Sequence, residues 1–350
     1  MKNYDFFLLF GRFIKESESG KRLQKNGARI SSLTLEHYGS VFNELRKFTV
    51  SSGFSLRVKN MLHATARQMH AEKIYWKRFY KKYTEYIFSC GGYDNYTGSH
   101  FRVIRTFFGY LNNDLEIISV NVFDIFYIRN ENIPVIALSK QQLQFLIYNV
   151  EFEDILPAYL KRTKDIFVFG CTTGLRFIDI MHLCKNNIQK TNSGVYLTVR
   201  SIKTKTDTRV KLPDYVVEIL AKYKGQKRLL PLLSNGRLNF NLKELCEKAG
   251  WTYAVGKQRE RSGIVKTIFK DGKTYRFCDL VTTHTMRKTA ITTLLTLGMP
   301  ELLVRKISGH SPNSKEFYRY VNYAQLYIDN GIDKIYDQMK LGRAENEICK

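Results

Sequence analysis

The chain has 350 residues, of which 44% are hydrophobic and 13% aromatic, so it can bury sizeable cores and is neither disordered nor collagen-like. Lysine and arginine number 56 against 32 aspartates and glutamates, which leaves a formal net charge of +24 at pH 7. An excess of this size favours a polyanionic partner, either nucleic acid or an anionic membrane surface.

The sequence supports neither membrane insertion nor export. No segment has the roughly 18 uninterrupted apolar residues of a membrane span, and Asp5 and Arg12 bracket an apolar opening segment that is too short for a signal peptide. The six cysteines are scattered, with no CxxC pair. We therefore expect a cytoplasmic protein without disulfides, bound metal or other cofactor.

The first part of the chain is predicted to be a helical domain over residues 1–128. No proline occurs before Pro134, and apolar residues recur with helical spacing in three stretches. Thr34 is the candidate N-cap of the first helix, and Gly91-Gly92 ends the second. The three stripes are Leu35, Tyr38, Val41, Phe42, Leu45 and Phe48; Tyr75, Phe79, Tyr83, Tyr86 and Ile87; and Phe101, Ile104, Phe107, Phe108 and Leu111.

Basic residues lie among the second and third stripes. A single cluster is most simply a solvated helix face, but several clusters in a chain of net charge +24 favour a surface that follows a phosphate backbone. The candidate DNA-binding residues are Lys77, Arg78, Lys81, Lys82, Arg102 and Arg105.

A linker is expected over 129–139, where a polar stretch is followed by Pro134. A second domain over 140–343 and a tail over 344–350 complete the chain. The predicted fold class is mainly α with a small β-sheet.

Alternating apolar residues predict a β-hairpin inside this second domain. They are Val195, Leu197 and Val199 on one strand and Val210 and Leu212 on the other. A weaker strand pair is expected within 264–277, around Asp271-Gly272. For the basic insertion 257–273, a solvated loop and an additional DNA contact both remain open.

Two local patterns in the second domain suggest phosphate chemistry. Gly174 can supply a tight turn into a helix that begins with Arg176, where backbone donors and a guanidinium together suit a phosphate. Asp179 follows three residues later, and taken alone the two are an ordinary Arg–Asp pair. In the hairpin, Lys203 or Lys205 could protonate a leaving oxygen, although a solvated hairpin tip is the commoner use of such a lysine.

Two further patterns follow along the chain. Thr282 and Thr283 are cap candidates for a helix whose opening turn carries His284 and Arg287, one turn apart and able to face one anion. Next, Ser308-Gly309-His310 ends a short helix. Three tyrosines come soon after it, at positions 318, 320 and 323. A tyrosine in such a helix is more often a core residue than a nucleophile.

The order Arg, Lys, HxxR, GH, Tyr strongly resembles the tyrosine recombinases, or phage integrase family. The resemblance covers about residues 136–336 and rests on TGLRFIDI, KTKTDTRVKLP, HTMRKT, SGH and the FYRYV segment at Phe317 to Val321. Recombinases of mobile elements share this last motif. The resemblance implies a helical SAM-like core-binding domain followed by an α+β catalytic domain.

The resemblance also implies a role for each site residue. Arg176 and Arg287 would clamp the phosphate, His284 would be the general base, and His310 a hydrogen-bond donor to the phosphate. Lys205 would be the general acid, since it lies eight residues before Pro213 as in the family's spacing. Asp179 would orient its neighbours. Tyr320 would be the nucleophile, with Phe317 as a buried anchor one turn earlier and Tyr318 on nearly the opposite side.

The implied activity is site-specific cleavage and rejoining of double-stranded DNA through a 3′-phosphotyrosine, without metal or ATP. The implied assembly is a homotetramer on two DNA sites in the nucleoid, with DNA-bending accessory factors as possible partners and no membrane. The segment from Asn322 to Met339 is expected to dock on a neighbouring protomer. The alternative is a non-catalytic sequence-specific DNA-binding protein of the same fold. A type IB topoisomerase fits less well, because the arginine and HxxR motifs here have the recombinase form.

Overall fold

The chain forms two units, and each of them takes two separate stretches of sequence. The computed structural model describes residues 2–117, 119–202, 206–311 and 314–324 and the single positions 329, 332, 333 and 336; at 315, 316, 322 and 323 it describes the backbone alone. The helical unit comprises residues 1–133 and 258–267, and the second unit residues 134–257 and 268–350. The first division, after residue 133, falls inside the expected linker.

The described elements are mostly helices. In chain order they are β1 (Asn3–Asp5), α1 (Phe6–Glu18), α2 (Ser32–Ser52), β2 (Arg57–Lys59), α3 (Ala66–Ser89), α4 (Asp94–Asn113), α5 (Lys140–Tyr148), α6 (Val150–Asp154), α7 (Ala158–Thr173), α8 (Phe177–Met181), β3 (Ile188–Thr191), β4 (Gly194–Arg200), β5 (Asp207–Leu212), α9 (Asp214–Ala221), α10 (Asn235–Lys248), β6 (Lys257–Arg261), β7 (Ile264–Lys270), β8 (Lys273–Thr274), α11 (Phe277–Leu280), α12 (Thr283–Thr296), α13 (Glu301–Ser308) and α14 (Lys315–Tyr323). Of the helices that the structure describes, none has the length and apolar character of a membrane span.

The helical unit is built around an aromatic core. The three predicted stripes lie on α2, α3 and α4, and most of their residues are buried. The apolar opening segment, for which no structure was predicted, forms α1 and adds Phe6, Phe10 and Phe13 to this core. The predicted N-cap Thr34 is wrong, because α2 begins at Ser32 and the Ser31 side chain accepts from the Thr34 backbone N–H.

The first part of the chain is not entirely helical. β1 and β2 pair antiparallel, with Tyr4 opposite Val58. Each strand has only three residues, which is too short for an alternating pattern to stand out in the sequence.

The second unit packs α10 and α12 against α7. Beside them lies an antiparallel sheet in the order β3-β4-β5, of which β3 was not predicted. The predicted hairpin is confirmed, with Val195 opposite Leu212 and Leu197 opposite Val210. The weaker strand pair is also confirmed, since Phe269 lies opposite Thr274 across the Asp271-Gly272 turn.

Residues 258–267, part of the basic insertion for which a solvated loop and a DNA contact were both open, belong to the helical unit. Two buried carboxylates hold them there. Arg259 donates to both oxygens of Glu131 at 2.6 and 2.9 Å, and the backbone N–H groups of Ser262 and Gly263 donate to Asp94 at 3.0 and 2.9 Å. Arg259 also lies over the Tyr93 ring, 4.3 Å from its centroid. Several polar groups of this insertion are therefore used within the protein.

The Glu131–Arg259 pair predicts a large stability effect. The Glu131 side chain has no exposed surface, so Arg259→Ala removes a charged partner from a buried carboxylate that keeps the N–H donors of Asn95 and Glu260. We expect a loss of about 3 kcal/mol in the free energy of unfolding, the usual cost of removing one partner of a buried ion pair. Urea denaturation measures it, with Lys266→Ala, an exposed residue of β7, as the control. Equal stabilities of the two variants would contradict the prediction.

Candidate active site

The end of α7 positions the first arginine. Gly174 caps α7 in the left-handed conformation, with φ of 67°, and supplies the predicted turn. A β-carbon at Gly174 would lie 3.3 Å from that of Ala290, so the turn also packs closely against α12. Arg176 follows as the N-cap residue of α8, and its Nη1 donates to the Ser201 hydroxyl at 3.2 Å.

Asp179 joins α8 to the end of β4. Its buried carboxylate accepts from the Ser201 hydroxyl at 3.1 Å and from the Ile202 backbone N–H at 2.8 Å. The Ser201 N–H in turn donates to the Thr206 carbonyl at 2.9 Å, which closes the β4–β5 loop. The loop lysines Lys203 and Lys205 lie outside the described residues.

The second arginine comes from α12. Thr282 is its N-cap residue, as expected, and forms a capping box with Thr285. Arg287 is buried, and its Nη1 donates to the Gly174 carbonyl at 2.9 Å. His284 lies one turn earlier on the exposed side of the helix.

His310 stands between the arginines and the tyrosine helix. Gly309 ends α13 with φ of 61°, and both ring nitrogens of His310 lie within 3.4 Å of Arg287 Nη2. The Ser308 hydroxyl donates to the Val304 carbonyl at 2.7 Å, so it accepts from His310 Nδ1, 2.8 Å away. Arg287 Nη2 is almost equidistant from the two ring nitrogens, so the guanidinium contacts the imidazole ring as a whole rather than one nitrogen.

His310 is neutral at physiological pH. Burial, followed by the charges of Arg287, Arg176 and Arg305, lowers its pKa to about 3. The site therefore holds two arginines beside an uncharged imidazole, an arrangement suited to an anion.

The tyrosine segment forms α14, which approaches His310. Phe317 is fully buried, as predicted, and its ring lies 5.3 Å from that of His310. The half-buried Tyr320 has its ring 5.9 Å from His310, whereas Tyr318 is 53% exposed and lies beside Arg305. The two tyrosines thus have different surroundings, with Tyr320 beside His310 and Tyr318 beside Arg305. At Tyr323 the structure describes the backbone alone.

The structure brings together Arg176, Arg287, His310 and Tyr320. Asp179 is connected to Arg176 through the Ser201 hydroxyl. Sequence reasoning assigned no role to Ser201 or Ser308. Ser308 was visible as the first residue of the SGH motif. Ser201 has no motif of its own, and only its position at the end of a predicted strand marks it.

The candidate DNA-binding residues divide into two groups. On α3, Lys77, Arg78 and Lys81 are exposed and Lys82 is half-buried. On α4, Arg102 binds the Asn130 side chain and Arg105 donates to the backbone carbonyls of Phe123 and Phe126. The two α4 arginines thus brace the segment that follows their helix.

Solved structures with a similar fold are tyrosine recombinases. The XerH recombinase bound to palindromic difH substrate has a TM-score of 0.61 and 13% identity, with 93% of this chain and 94% of that one covered. The Tn1549 transposon integrase with circular intermediate DNA has a TM-score of 0.59 and 15% identity, covering 91% and 94%. A lambda integrase tetramer bound to a Holliday junction has a TM-score of 0.56 and 14% identity, covering 88% and 78%.

The fold is thus that of a tyrosine recombinase, with core-binding and catalytic domains. Residues 138–325, more than half of the 350 residues, match the phage integrase family, and the chain belongs to that family. No curated protein matches the chain.

The low pKa of His310 predicts a pH-dependent stability. Unfolded histidine takes up a proton near pH 6.5, whereas folded His310 does so only at about 3. Between these values the unfolded state binds more protons, so stability that is present above pH 6.5 is lost as the pH falls, by at most about 1.4 kcal/mol per pH unit for one group. His310→Gln should reduce this slope in urea denaturation, while the exposed His182→Gln should not.

The pH dependence of stability that remains in His310→Gln has a second source. His100 is fully buried in the helical unit, and its pKa is lowered to about 4, mainly by burial. His310→Gln should therefore flatten the dependence only in part. An unchanged slope would show that His310 is not held neutral.

Proposed function

We propose that the protein is a site-specific DNA recombinase that cuts and rejoins double-stranded DNA through Tyr320. The observation that carries the proposal is the cluster of Arg176, Arg287 and neutral His310, with the Tyr320 ring 5.9 Å from the imidazole. Two guanidiniums beside an uncharged ring suit the non-bridging oxygens of a phosphodiester. A phenol at the same place suits a covalent intermediate.

The chemistry proceeds by exchange of one phosphoester bond for another. The Tyr320 oxygen attacks phosphorus and gives its proton to His284, and the bond from phosphorus to the 5′-oxygen breaks as Lys205 protonates that oxygen. The products are a 3′-phosphotyrosine and a free 5′-hydroxyl. Rejoining reverses these steps and needs no ATP, because the phosphoester energy is retained. It needs no metal, because Arg176 and Arg287 supply the positive charge.

His310 supports the clamp as a neutral hydrogen-bonding group. If the Ser308 hydroxyl turns from the Val304 carbonyl to His310 Nδ1, the ring proton moves to Nε2, where it can bond a phosphate oxygen. The arginines then carry the positive charge that stabilises the pentacoordinate transition state.

Binding and assembly extend the same proposal. The formal charge of +24 and the exposed Lys77 and Lys81, one turn apart on α3, support phosphate contacts. Arg78, Lys82, Arg102 and Arg105 remain candidates for further contacts. The tetramer of the similar lambda integrase supports four protomers on two DNA sites. More than half of the docking segment from Asn322 to Met339 falls outside the described residues.

The nucleophile can be tested on a nicked suicide substrate. We expect Tyr320→Phe to abolish the covalent protein–DNA adduct in a denaturing gel, because no phenolic oxygen remains, while DNA binding stays within a few-fold. Tyr318→Phe is the matched control and should form the adduct, also in EDTA. An adduct mapped by mass spectrometry to another tyrosine would overturn the assignment. No adduct from the wild type would favour a non-catalytic DNA-binding protein.

The charge clamp can be tested by charge-conserving substitution. Arg176→Lys and Arg287→Lys should each slow single-turnover cleavage by about 100-fold or more, since an ammonium group cannot donate bidentately. DNA affinity should change little, because the net charge is kept. The exposed Arg200→Lys, at the end of β4, is the control. Cleavage at the wild-type rate in either clamp variant would exclude that arginine from the clamp.

A further inference from the structure

Arg176 and Asp179 carry opposite charges at neighbouring positions, yet they form no ion pair. Both residues are fully described. Among the ion pairs of the described residues, which are defined by a nitrogen–oxygen distance of at most 4.0 Å, none joins Arg176 to Asp179. An arginine and a carboxylate three residues apart commonly pair directly. A neighbouring group in the site must therefore separate the two side chains.

The Ser201 hydroxyl occupies the position between them. It donates to Asp179 Oδ2 at 3.1 Å and accepts from Arg176 Nη1 at 3.2 Å. The second carboxylate oxygen accepts from the Ile202 N–H at 2.8 Å. Asp179 and Ser201 are both buried, so water competes weakly for these bonds. The carboxylate is thus bound by two neutral donors of the hairpin rather than by the arginine.

We propose that Ser201 is a positioning residue that holds Arg176 for the scissile phosphate by separating it from Asp179. The proposal rests on the proposed recombinase function and adds a residue to it. A guanidinium paired bidentately with a carboxylate has its donors occupied and its charge compensated. The same guanidinium, bound only to a hydroxyl, keeps donors and net charge for an incoming phosphate.

Removal of the hydroxyl has a defined consequence. In Ser201→Ala, Asp179 Oδ2 loses its donor while remaining buried, and a buried carboxylate without a donor is costly. Arg176 is the cation already in contact with the lost hydroxyl, so its side chain shifts onto the carboxylate. The clamp then lacks the Arg176 guanidinium, although every residue that contacts DNA in the proposal is still present.

The first measurement is single-turnover cleavage of the suicide substrate. Ser201→Ala should cleave about 100-fold more slowly, the scale of effect expected from a misplaced charge in a preorganised site, with unchanged DNA affinity. Ser201→Thr keeps the hydroxyl and should restore most of the rate. The exposed Ser193→Ala, in the β3–β4 turn of the same sheet, is the matched control. Should Ser201→Ala not fold, Ser201→Cys keeps the volume while weakening both hydrogen bonds, and should be slowed.

The decisive measurement is the same substitution in an Asp179→Asn background. An amide has no charge for Arg176 to compensate, so Ser201→Ala should then cost less than about 3-fold, a strong non-additivity between contacting residues. A substrate with sulfur as the leaving 5′-atom should not rescue Ser201→Ala, because the defect concerns the clamp and not the protonation of the leaving group.

Three results would overturn the proposal: a wild-type cleavage rate in Ser201→Ala, an equal loss in the Asp179→Asn background, or rescue by the sulfur substrate. The last would place Ser201 in support of the lysine loop instead. In each case the wild type still forms the adduct. Absence of that adduct would refute the recombinase function itself, so the two failures are distinguishable.

Discussion

A single backbone turn, at Gly174, determines where both guanidiniums of the site lie. The left-handed residue ends α7 and directs the chain to Arg176, while its carbonyl oxygen accepts from Arg287 on α12. The close packing of the two helices makes this geometry possible, since a β-carbon at Gly170 would lie 2.5 Å from the Met286 sulfur. The spacing of the arginines is thus a property of a helix–helix contact rather than of either motif alone.

Local signals were enough to predict the elements that carry the site. The alternation around Leu197 indicated the hairpin, Thr282 and Thr283 the start of α12, and Gly309 the end of α13. Each of these depends on residues close together in sequence. What escaped prediction depends on distant partners or on very short elements. The β1–β2 pair joins strands of three residues across the whole of α1 and α2.

Charge shows the same limit. Lys77 and Arg105 look alike in the sequence, but one points to solvent and the other is used on carbonyl groups of the segment after α4. The partners of Arg105 are backbone atoms 18 and 21 residues away, so no motif marks them. The number of basic residues in the sequence is therefore an upper limit on the number that are available to contact DNA phosphates. Likewise, the Ser201 bridge between Arg176 and Asp179 became visible only with the hairpin folded against α8.

The insertion of residues 258–267 into the helical unit bears on how such a protein can diverge. Asp94 and Glu131 each accept hydrogen bonds from a segment encoded more than 120 residues downstream. A gene exchange that replaced the first 133 codons alone would bring in a foreign helical unit without the matching segment 258–267, and would leave Arg259 facing the wrong surface. Lineages of this recombinase should therefore inherit the two stretches together, and changes at Glu131 and Arg259 should be correlated.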